Sequence, residues 1–325
     1  MKYSTIHLLC AFGCGLIFSY VFLSNPVLQS QTRIQVQQDC PDGVKLRPVG
    51  IDARNILSEH RETVPKVDTH DVGKWRDISK IRVLCWIMTA PKNLKSKAQY
   101  VKETWGKRCN KLLFYSSTTD ESFPTIGLGV PEGREHLTAK TMQAFRHIYA
   151  NHRTEADWFL KADDDTYVLV DNLKYFLSKQ NKNEAVYFGN HFKHYIPEGY
   201  NSGGAGYVLS YEALKRFGER GSNLCSKDGG AEDAEFGKCL VKLGGKVGRS
   251  LDEEGKTTFH AYHPLTHMAG AYAQWVKSHT VHGARAGAGN ISSFPITFHY
   301  VRGNEMLALD FYIYHVKHAS GGGMD

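Results

Sequence analysis

Three consecutive carboxylates, Asp163, Asp164 and Asp165, lie inside an otherwise apolar stretch, residues 158–170 (WFLKADDDTYVLV). The residues before them predict a short buried strand, and the β-branched and aromatic residues after them predict a second extended segment. Adjacent acids repel one another and are not buried as ions without a neutralising cation. A bare acidic triplet is often a solvated turn, but these apolar flanks favour a site for Mn²⁺ or Mg²⁺, which take oxygen ligands.

The overall composition is that of a globular protein. The chain has 325 residues, is 42% hydrophobic and carries a formal charge of +7. This is enough apolar material for one large domain or two small ones. No block of Lys or Arg stands out, so we expect no nucleic-acid partner, while a mildly basic chain would not repel a phosphate-bearing substrate.

The N-terminal region predicts a membrane anchor. Residues 6–23 are apolar, and no clear cleavage site follows them. A run of this length fits a membrane-spanning helix or a long signal-peptide core. We expect an uncleaved signal anchor, with residues 1–5 cytoplasmic and the rest of the chain lumenal. Polar residues 24–74 predict a stem, residues 75–318 a catalytic domain, and residues 319–325 a disordered tail.

The cysteines fit an oxidising compartment. Five of them follow the apolar run, which suggests two disulfides and one spare. The sequence-local pairings are Cys85 with Cys109 and Cys225 with Cys239, although sequence alone does not fix the connectivity. Cys40, in the predicted stem, could cross-link two chains.

Strand and helix patterns alternate along the first part of the predicted domain. They are strands at 81–88, 111–116 and 158–160, and helices at 94–105 and 138–152. This alternation predicts an α/β fold with a mostly parallel central sheet. In such sheets ligands bind beyond the carboxyl ends of the strands, which is where the acidic triplet would lie.

A glycine pair and an acidic helix start follow. Gly203 and Gly204 could let the backbone approach a ligand closely, or could form a tight turn before a buried strand, and the sequence leaves both readings open. Glu232, Asp233 and Glu235 predict the first turn of a helix, where carboxylates are ordinary residues. The functional alternative is that one of them acts as a general base.

Three histidines, His260, His263 and His267, invite a zinc interpretation. Pro264 interrupts any helix that would align them, so this interpretation is disfavoured. One histidine that shares a metal with an aspartate is the more plausible alternative.

Five motifs in this order resemble the core 1 β1,3-galactosyltransferase family and, more broadly, the Fringe-like β1,3-glycosyltransferases. They are residues 159–168 (FLKADDDTYV), 202–210 (SGGAGYVLS), 232–240 (EDAEFGKCL), 258–260 (TFH) and 298–301 (FHYV), and residues 102–106 (KETWG) look like an early motif of the family. The resemblance covers about residues 80–315.

This resemblance implies a nucleotide-sugar-binding fold of the GT-A type, in a single-pass type II membrane protein of the Golgi. It implies a UDP-galactose donor, Mn²⁺, and inverting transfer of galactose to O-3 of GalNAc on Ser or Thr of glycoproteins. A homodimer and a dedicated chaperone are implied as partners.

The resemblance also assigns roles to individual residues. By the family's pattern, Asp165 and His260 would be the metal ligands, and Asp233 would be the base that takes the proton of the acceptor hydroxyl. The other implied contacts are Asp163, Asp164, Lys140 and Trp105 for the nucleotide, and Tyr200, Gly203 and Gly204 for the acceptor.

The chain departs from the family on the acceptor side. Residues 289–295 (GNISSFP) have no cysteine where the family usually has Cys-Cys-Ser-Asp, and they contain a glycosylation sequon at Asn290. Ala261 stands where the family has proline. The alternatives are therefore a β1,3-glycosyltransferase with another donor or acceptor, or a non-catalytic, chaperone-like relative. Catalysis is favoured because the acidic triplet, His260 and Asp233 are all present.

Overall fold

A mixed sheet of seven strands lies at the centre of the part of the chain that the computed structural model describes, residues 77–283 and 287–316. The described strands are β1 (Val83–Met88), β2 (Lys111–Ser116), β3 (Thr125–Gly127), β4 (Trp158–Asp163), β5 (Tyr167–Val168), β6 (Val186–Gly189), β7 (His191–Phe192), β8 (Tyr200–Asn201), β9 (Tyr207–Ser210), β10 (Lys246–Val247), β11 (Phe259–His260) and β12 (Thr297–Phe298). The described α-helices are α1 (Gln99–Glu103), α2 (Leu137–His152), α3 (Val170–Ser178), α4 (Tyr211–Leu224), α5 (Glu232–Lys242), α6 (Pro264–Ala269), α7 (Gln274–His279) and α8 (Gly303–Tyr314).

The central sheet has the strand order β10-β6-β9-β4-β1-β2-β3, and β11-β12-β5 form a second, three-stranded sheet. Strand β1 is parallel to β2 and β4, β3 is parallel to β2, and β10 is parallel to β6. All six residues of β1 are buried, as expected for a strand covered on both faces. The predicted α/β class is confirmed, and the sheet is mixed because β9 is antiparallel to β4 and β6.

Helix α2 covers one face of the sheet. Its side chains Met142, Phe145 and Ile148 are fully buried, at a spacing that places them on one face of the helix. The ring of Phe145 lies 5.1 Å from that of Trp86 in β1 and 4.8 Å from that of Phe236 in α5. Burial of each such side chain stabilises the fold by about 2–3 kcal/mol. These contacts hold α5, with its acidic first turn, against the sheet.

Both predicted disulfides are confirmed. Cys85 in β1 is bonded to Cys109, and Cys225 at the end of α4 is bonded to Cys239 in α5. The second disulfide joins α4 to α5, and its two cysteines are 14 residues apart in the sequence. It therefore restrains the helix whose first turn contains the acidic motif.

The single helix predicted over residues 94–105 is wrong in its details. The structure has a 3₁₀ turn at Pro91–Asn93, a π-helical turn at Leu94–Ala98, helix α1, and a further 3₁₀ turn at Trp105–Arg108. Apolar spacing does not distinguish these helix types, because each differs from the α-helix by less than one residue per turn. In the π-helical turn Leu94 and Ala98 are buried, and Lys97 lies next to the acidic triplet.

Several predictions lie outside the described residues. They concern the cytoplasmic tail (1–5), the anchor (6–23), the stem (24–74) with Cys40, and the C-terminal tail (319–325). Among the helices of residues 77–283 and 287–316, none has the length and apolar character needed to cross a membrane.

Candidate active site

The acidic triplet lies where two sheets meet. Asp163 is the last residue of β4, and the next two carboxylates are in the turn that leads to β5. Strand β12 pairs antiparallel with β5, with Phe298 opposite Tyr167. The backbone N–H of Val301 donates to the carbonyl of Asp165 over 2.9 Å. This pairing brings His299, the residue after β12, to the triplet.

His299 and two of the carboxylates form a group with metal-ligand geometry. One ligand atom from each of Asp163, Asp165 and His299 lies within 4.8 Å of the other two, and all three residues are partly buried. His299 Nε2 is 3.3 Å from Asp165 Oδ1, and His299 Nδ1 is 3.3 Å from the carbonyl oxygen of Ala261. A carbonyl only accepts, so Nδ1 donates to it and Nε2 is the ring nitrogen that faces the carboxylates. This is how a metal-binding histidine is normally oriented.

The glycine pair allows this arrangement. A Cβ at Gly204 would overlap the ring of His299, and a Cβ at Gly203 would come within 2.6 Å of Glu232 Oε2. The hydroxyl of Thr166 also donates to the Gly204 carbonyl over 2.8 Å. The structure shows the tight turn before a buried strand, because the Gly206 N–H donates to the Gly203 carbonyl over 3.0 Å and β9 follows directly. The turn also brings the backbone close to side chains of the site, while approach to a ligand stays a prediction.

Asp164 faces away from His299. One of its oxygens, Oδ2, accepts hydrogen bonds from the Thr89 hydroxyl over 2.8 Å and from the Asn93 amide over 2.9 Å. Burial raises the pKa of Asp164 to about 6, although the charge of Lys97 opposes this. Asp164 thus anchors the segment after β1 to the triplet.

Asp165 has the opposite electrostatics. Burial alone would raise its pKa, but the hydrogen bond to His299 and the charges of His299 and Lys97 hold the pKa of Asp165 well below its ordinary value. Lys97 Nζ is 2.9 Å from Asp165 Oδ2. Asp165 is therefore a permanent anion that faces His299 with one oxygen and Lys97 with the other.

A buried lysine joins the triplet to the acidic start of α5. The ammonium of Lys161, in β4, donates to Asp163 Oδ1 over 2.6 Å and to the Gly203 carbonyl over 3.0 Å. It also lies 3.8 Å from Glu232 Oε2. Burial would lower the pKa of Lys161, but the charges of Asp163 and Glu232 raise it above the ordinary value. Lys161 therefore stays charged although it is only 1% exposed.

Asp233 lies on the other side of this lysine. Its Oδ2 accepts from the Gly203 N–H over 3.1 Å, and its Oδ1 accepts from the Ala234 N–H over 2.9 Å. Burial raises the pKa of Asp233, and the two N–H groups and Lys161 offset only part of that rise. A partly buried carboxylate with a raised pKa, held by backbone donors, has the properties of a general base.

The buried network allows a stability prediction. Lys161→Met should destabilise the fold by about 3–5 kcal/mol, because Asp163 and Glu232 would lose the cation that compensates them. Urea unfolding of the purified variant measures this. Lys161→Met combined with Glu232→Gln should recover part of the loss, and the exposed control Lys215→Met should unfold like the wild type. A Lys161→Met variant as stable as the wild type would contradict this account of the network.

Three residues predicted for the site are not part of the group formed by Asp163, Asp165 and His299. His260 is fully buried, its Nδ1 donates to the Thr297 carbonyl over 2.9 Å, and burial lowers its pKa to about 4. It is outside the group that Asp165 forms with His299. Trp105 is fully buried in the hydrophobic core, and its role in nucleotide contact stays a prediction.

Lys140 is in α2 and is also almost fully buried, with its ammonium 2.6 Å from Glu132 Oε2. The next residue, Thr141, donates to Glu232 Oε1 over 2.7 Å. Lys140 therefore precedes, in the sequence, a residue that is hydrogen-bonded to Glu232. Its role in nucleotide contact stays a prediction.

Tyr200 lies close to Asp233, as its proposed acceptor role requires. The charge of Asp233 adds to burial in raising the pKa of Tyr200 above its ordinary value. The Tyr200 ring is 5.9 Å from that of Tyr195, which is 58% exposed. The buried ring of Tyr200 is therefore in contact with an exposed aromatic ring, and its acceptor role stays a prediction.

Sequence reasoning gave no role to His299, Lys97 or Lys161. His299 is part of the motif FHYV, but nothing in that pattern indicates a metal ligand. Lys161 precedes the triplet on an apolar strand, and a charged residue at such a position indicates a buried ion pair. Lys97 has no such signal, because its position depends on the π-helical turn.

The fold and this site define an α/β protein with a candidate metal centre and a candidate base at the carboxyl ends of its sheet strands. The Fringe-like family model matches residues 78–252, which is more than half of the chain. The chain belongs to the Fringe-like family and, within it, to the core 1 β1,3-galactosyltransferases.

Two similar proteins differ in how much of this chain they match. Glycoprotein-N-acetylgalactosamine 3-beta-galactosyltransferase 1 of Xenopus laevis is 45% identical over 243 residues, which cover 73% of this chain and 68% of that protein. The beta-1,3-glucosyltransferase of Homo sapiens is 27% identical over 172 residues, covering 52% of this chain and 34% of that protein.

Among solved structures, Drosophila β1,4-galactosyltransferase 7 in complex with manganese, UDP-Gal and xylobiose matches at a TM-score of 0.34 and 13% identity. The match covers 55% of this chain and 69% of that one. The family assignment rests on the sequence relatives.

Proposed function

We propose that this protein is a metal-dependent, inverting glycosyltransferase of the GT-A type. Its reaction is transfer of galactose from UDP-galactose to O-3 of GalNAc linked to Ser or Thr of glycoproteins. The observation that carries the proposal is the group of Asp163, Asp165 and His299, joined through Lys161 and Gly203 to Asp233. The 45% identity to the Xenopus enzyme, whose name specifies 3-β-galactosyl transfer to glycoprotein N-acetylgalactosamine, supports the choice of galactose and of the acceptor sugar.

The residues present fit a divalent cation. Asp163, Asp165 and His299 would hold it, since two carboxylates and a neutral imidazole nitrogen suit Mn²⁺. When bound, such a cation neutralises charge that develops on the diphosphate leaving group. In this proposal His299 takes the place that the family's pattern gave to His260, because the Nε2 of His299 faces both carboxylates.

Asp233 would take the proton of the acceptor hydroxyl. The N–H groups of Gly203 and Ala234 fix the carboxylate, and the raised pKa of Asp233 makes it a stronger base than an exposed aspartate. The carboxylate would also orient the hydroxyl toward the sugar. Inversion follows because a base on the acceptor side supports a single in-line displacement.

The proposal includes a compartment and partners. Two disulfides support a location where thiols are oxidised, in agreement with a lumenal domain of a type II Golgi membrane protein. We include a homodimer and a dedicated chaperone as the partners implied by the family.

A donor and acceptor screen on the full-length protein tests this function. We expect UDP release from UDP-galactose with a GalNAc-α-peptide, loss of activity with a chelator, and recovery with Mn²⁺. The matched control is the same peptide without GalNAc, which should give no release above hydrolysis. Turnover only with UDP-GlcNAc or with another acceptor would contradict the proposed substrates. A folded protein that binds Mn²⁺ and turns over no pair would contradict catalysis.

A further inference from the structure

Lys97 lies beside the candidate metal group on the side away from His299. Its ammonium is 2.9 Å from Asp165 Oδ2 and 3.3 Å from Asp164 Oδ1. His299 approaches the other oxygen of Asp165, Oδ1. A cation held by His299 and Asp165 Oδ1 and the ammonium of Lys97 can therefore share one carboxylate without using the same oxygen.

The position of Lys97 is set by its local structure. It lies in the π-helical turn Leu94–Ala98, in which Leu94 and Ala98 are buried and fix the turn against the core. The Lys97 side chain is 33% exposed, so its ammonium is accessible from solution as well as from the carboxylates. Lysine has three donors on a flexible stem, which allows one ammonium to bind carboxylate and phosphate oxygens together.

The local charges show what this lysine changes. Lys161 is shared between Asp163 and Glu232, so Lys97 is the cation that contacts Asp164 and Asp165. A bound divalent cation and the ammonium of Lys97 would place two positive groups beside Asp165, which favours a diphosphate. Without Lys97 the same site would bind the metal against less repulsion and would attract the donor less strongly.

We propose that Lys97 binds the diphosphate of the nucleotide-sugar donor next to the metal, and that its charge weakens metal binding in return. This inference rests on the proposed function. The ammonium of Lys97 and the metal ion repel each other, and an anionic diphosphate between them relieves this repulsion. Lys97 therefore makes the site bind the metal and the donor together more favourably than the metal alone. If Lys97 only tied residues 94–98 to the triplet, its removal would neither strengthen the binding of Mn²⁺ nor weaken the binding of UDP.

The two roles are separated by binding measurements without turnover. Mn²⁺ alone is titrated into the full-length protein and followed by electron paramagnetic resonance, and UDP is then titrated at saturating Mn²⁺. We expect Lys97→Met to bind Mn²⁺ about tenfold more tightly and UDP about tenfold more weakly than the wild type. Lys97→Arg should stay close to the wild type in both. Lys95→Met, which removes an exposed lysine from the same turn, is the matched control and should change neither.

The binding of Mn²⁺ and of UDP by the Lys97 variants decides between a diphosphate-binding role and a structural role. Weaker Mn²⁺ binding in Lys97→Met, or UDP affinity equal to that of the wild type, would overturn the proposal in favour of a structural tether. If circular dichroism shows that Lys97→Met is unfolded, Lys97→Gln is measured in its place with the same expectation. A folded wild-type protein that binds neither Mn²⁺ nor UDP would instead contradict the proposed function itself, a result that the variants do not affect.

Discussion

Asp233→Asn should lower the rate of sugar transfer by about a thousandfold, since a positioned general base contributes about 10²–10⁴-fold. The amide has nearly the shape of the carboxylate, and its oxygen can still accept the hydrogen bond from Gly203 or Ala234. The fold and the binding of UDP should therefore be retained. Steady-state transfer assays, together with UDP titration at saturating Mn²⁺, measure the two effects separately.

The matched control is Glu235→Gln, in the same first turn of α5. Glu235 pairs with Lys238 over 2.6 Å instead of with Gly203 or Lys161, so its removal should leave transfer unchanged. A pH profile adds an independent check. Burial raises the pKa of Asp233, and a base acts only when deprotonated. The wild-type rate should rise with pH through a pKa above the usual aspartate value of about 4 and then level off. An Asp233→Asn rate equal to that of the wild type would remove Asp233 as the base.

Asp165→Asn should abolish metal-dependent transfer, with a loss of at least about a thousandfold. Asp165 is the carboxylate shared by the metal group and Lys97, so the substitution removes the anion that holds both cations. Titration with Mn²⁺ should show binding weakened by about a hundredfold or more, in line with the loss of a charged ligand. The variant should still fold, because the amide keeps the shape of the side chain, but its thermal unfolding should shift to lower temperature because the ionised Asp165 interacts favourably with Lys97 and His299 in the wild type.

Asp171→Asn is the control for this prediction. Asp171 is an exposed acid in the first turn of α3, six residues after Asp165. It tests whether the loss of one negative charge near the triplet is enough to weaken Mn²⁺ binding and transfer. It should bind Mn²⁺ and transfer sugar as the wild type does. Metal-dependent activity that persists in folded Asp165→Asn would contradict the assignment of Asp165 as a ligand.

Local sequence was sufficient for much of the fold. Strand β2 coincides with the predicted range, because a continuous apolar run bounded by polar residues leaves few alternatives. The disulfides Cys85–Cys109 and Cys225–Cys239 agree with the sequence-local pairings. The acidic triplet lies at the end of β4, as its apolar flanks indicated.

The choice between two histidines depended on the tertiary structure. His260 and His299 each follow a phenylalanine at a short strand, so their local sequences are alike. In the sheet, β11 and β12 run parallel with His260 paired to Phe298, which offsets the two histidines by one residue. Side chains alternate between the faces of a sheet, so an offset of one residue puts them on opposite faces. Only His299 faces Asp165.

Three conclusions follow from local sequence: the α/β sheet, the position of the acidic triplet, and the resemblance to a family. Each depends on a pattern formed by residues that are close together in the sequence. The tertiary structure decided which side chains neutralise the triplet. Lys97, Lys161 and His299 come from three separate elements, and their distances to the carboxylates depend on a π-helical turn, a buried strand and a strand register. Such distances are set by packing between elements that are distant in the chain, and no local pattern contains them.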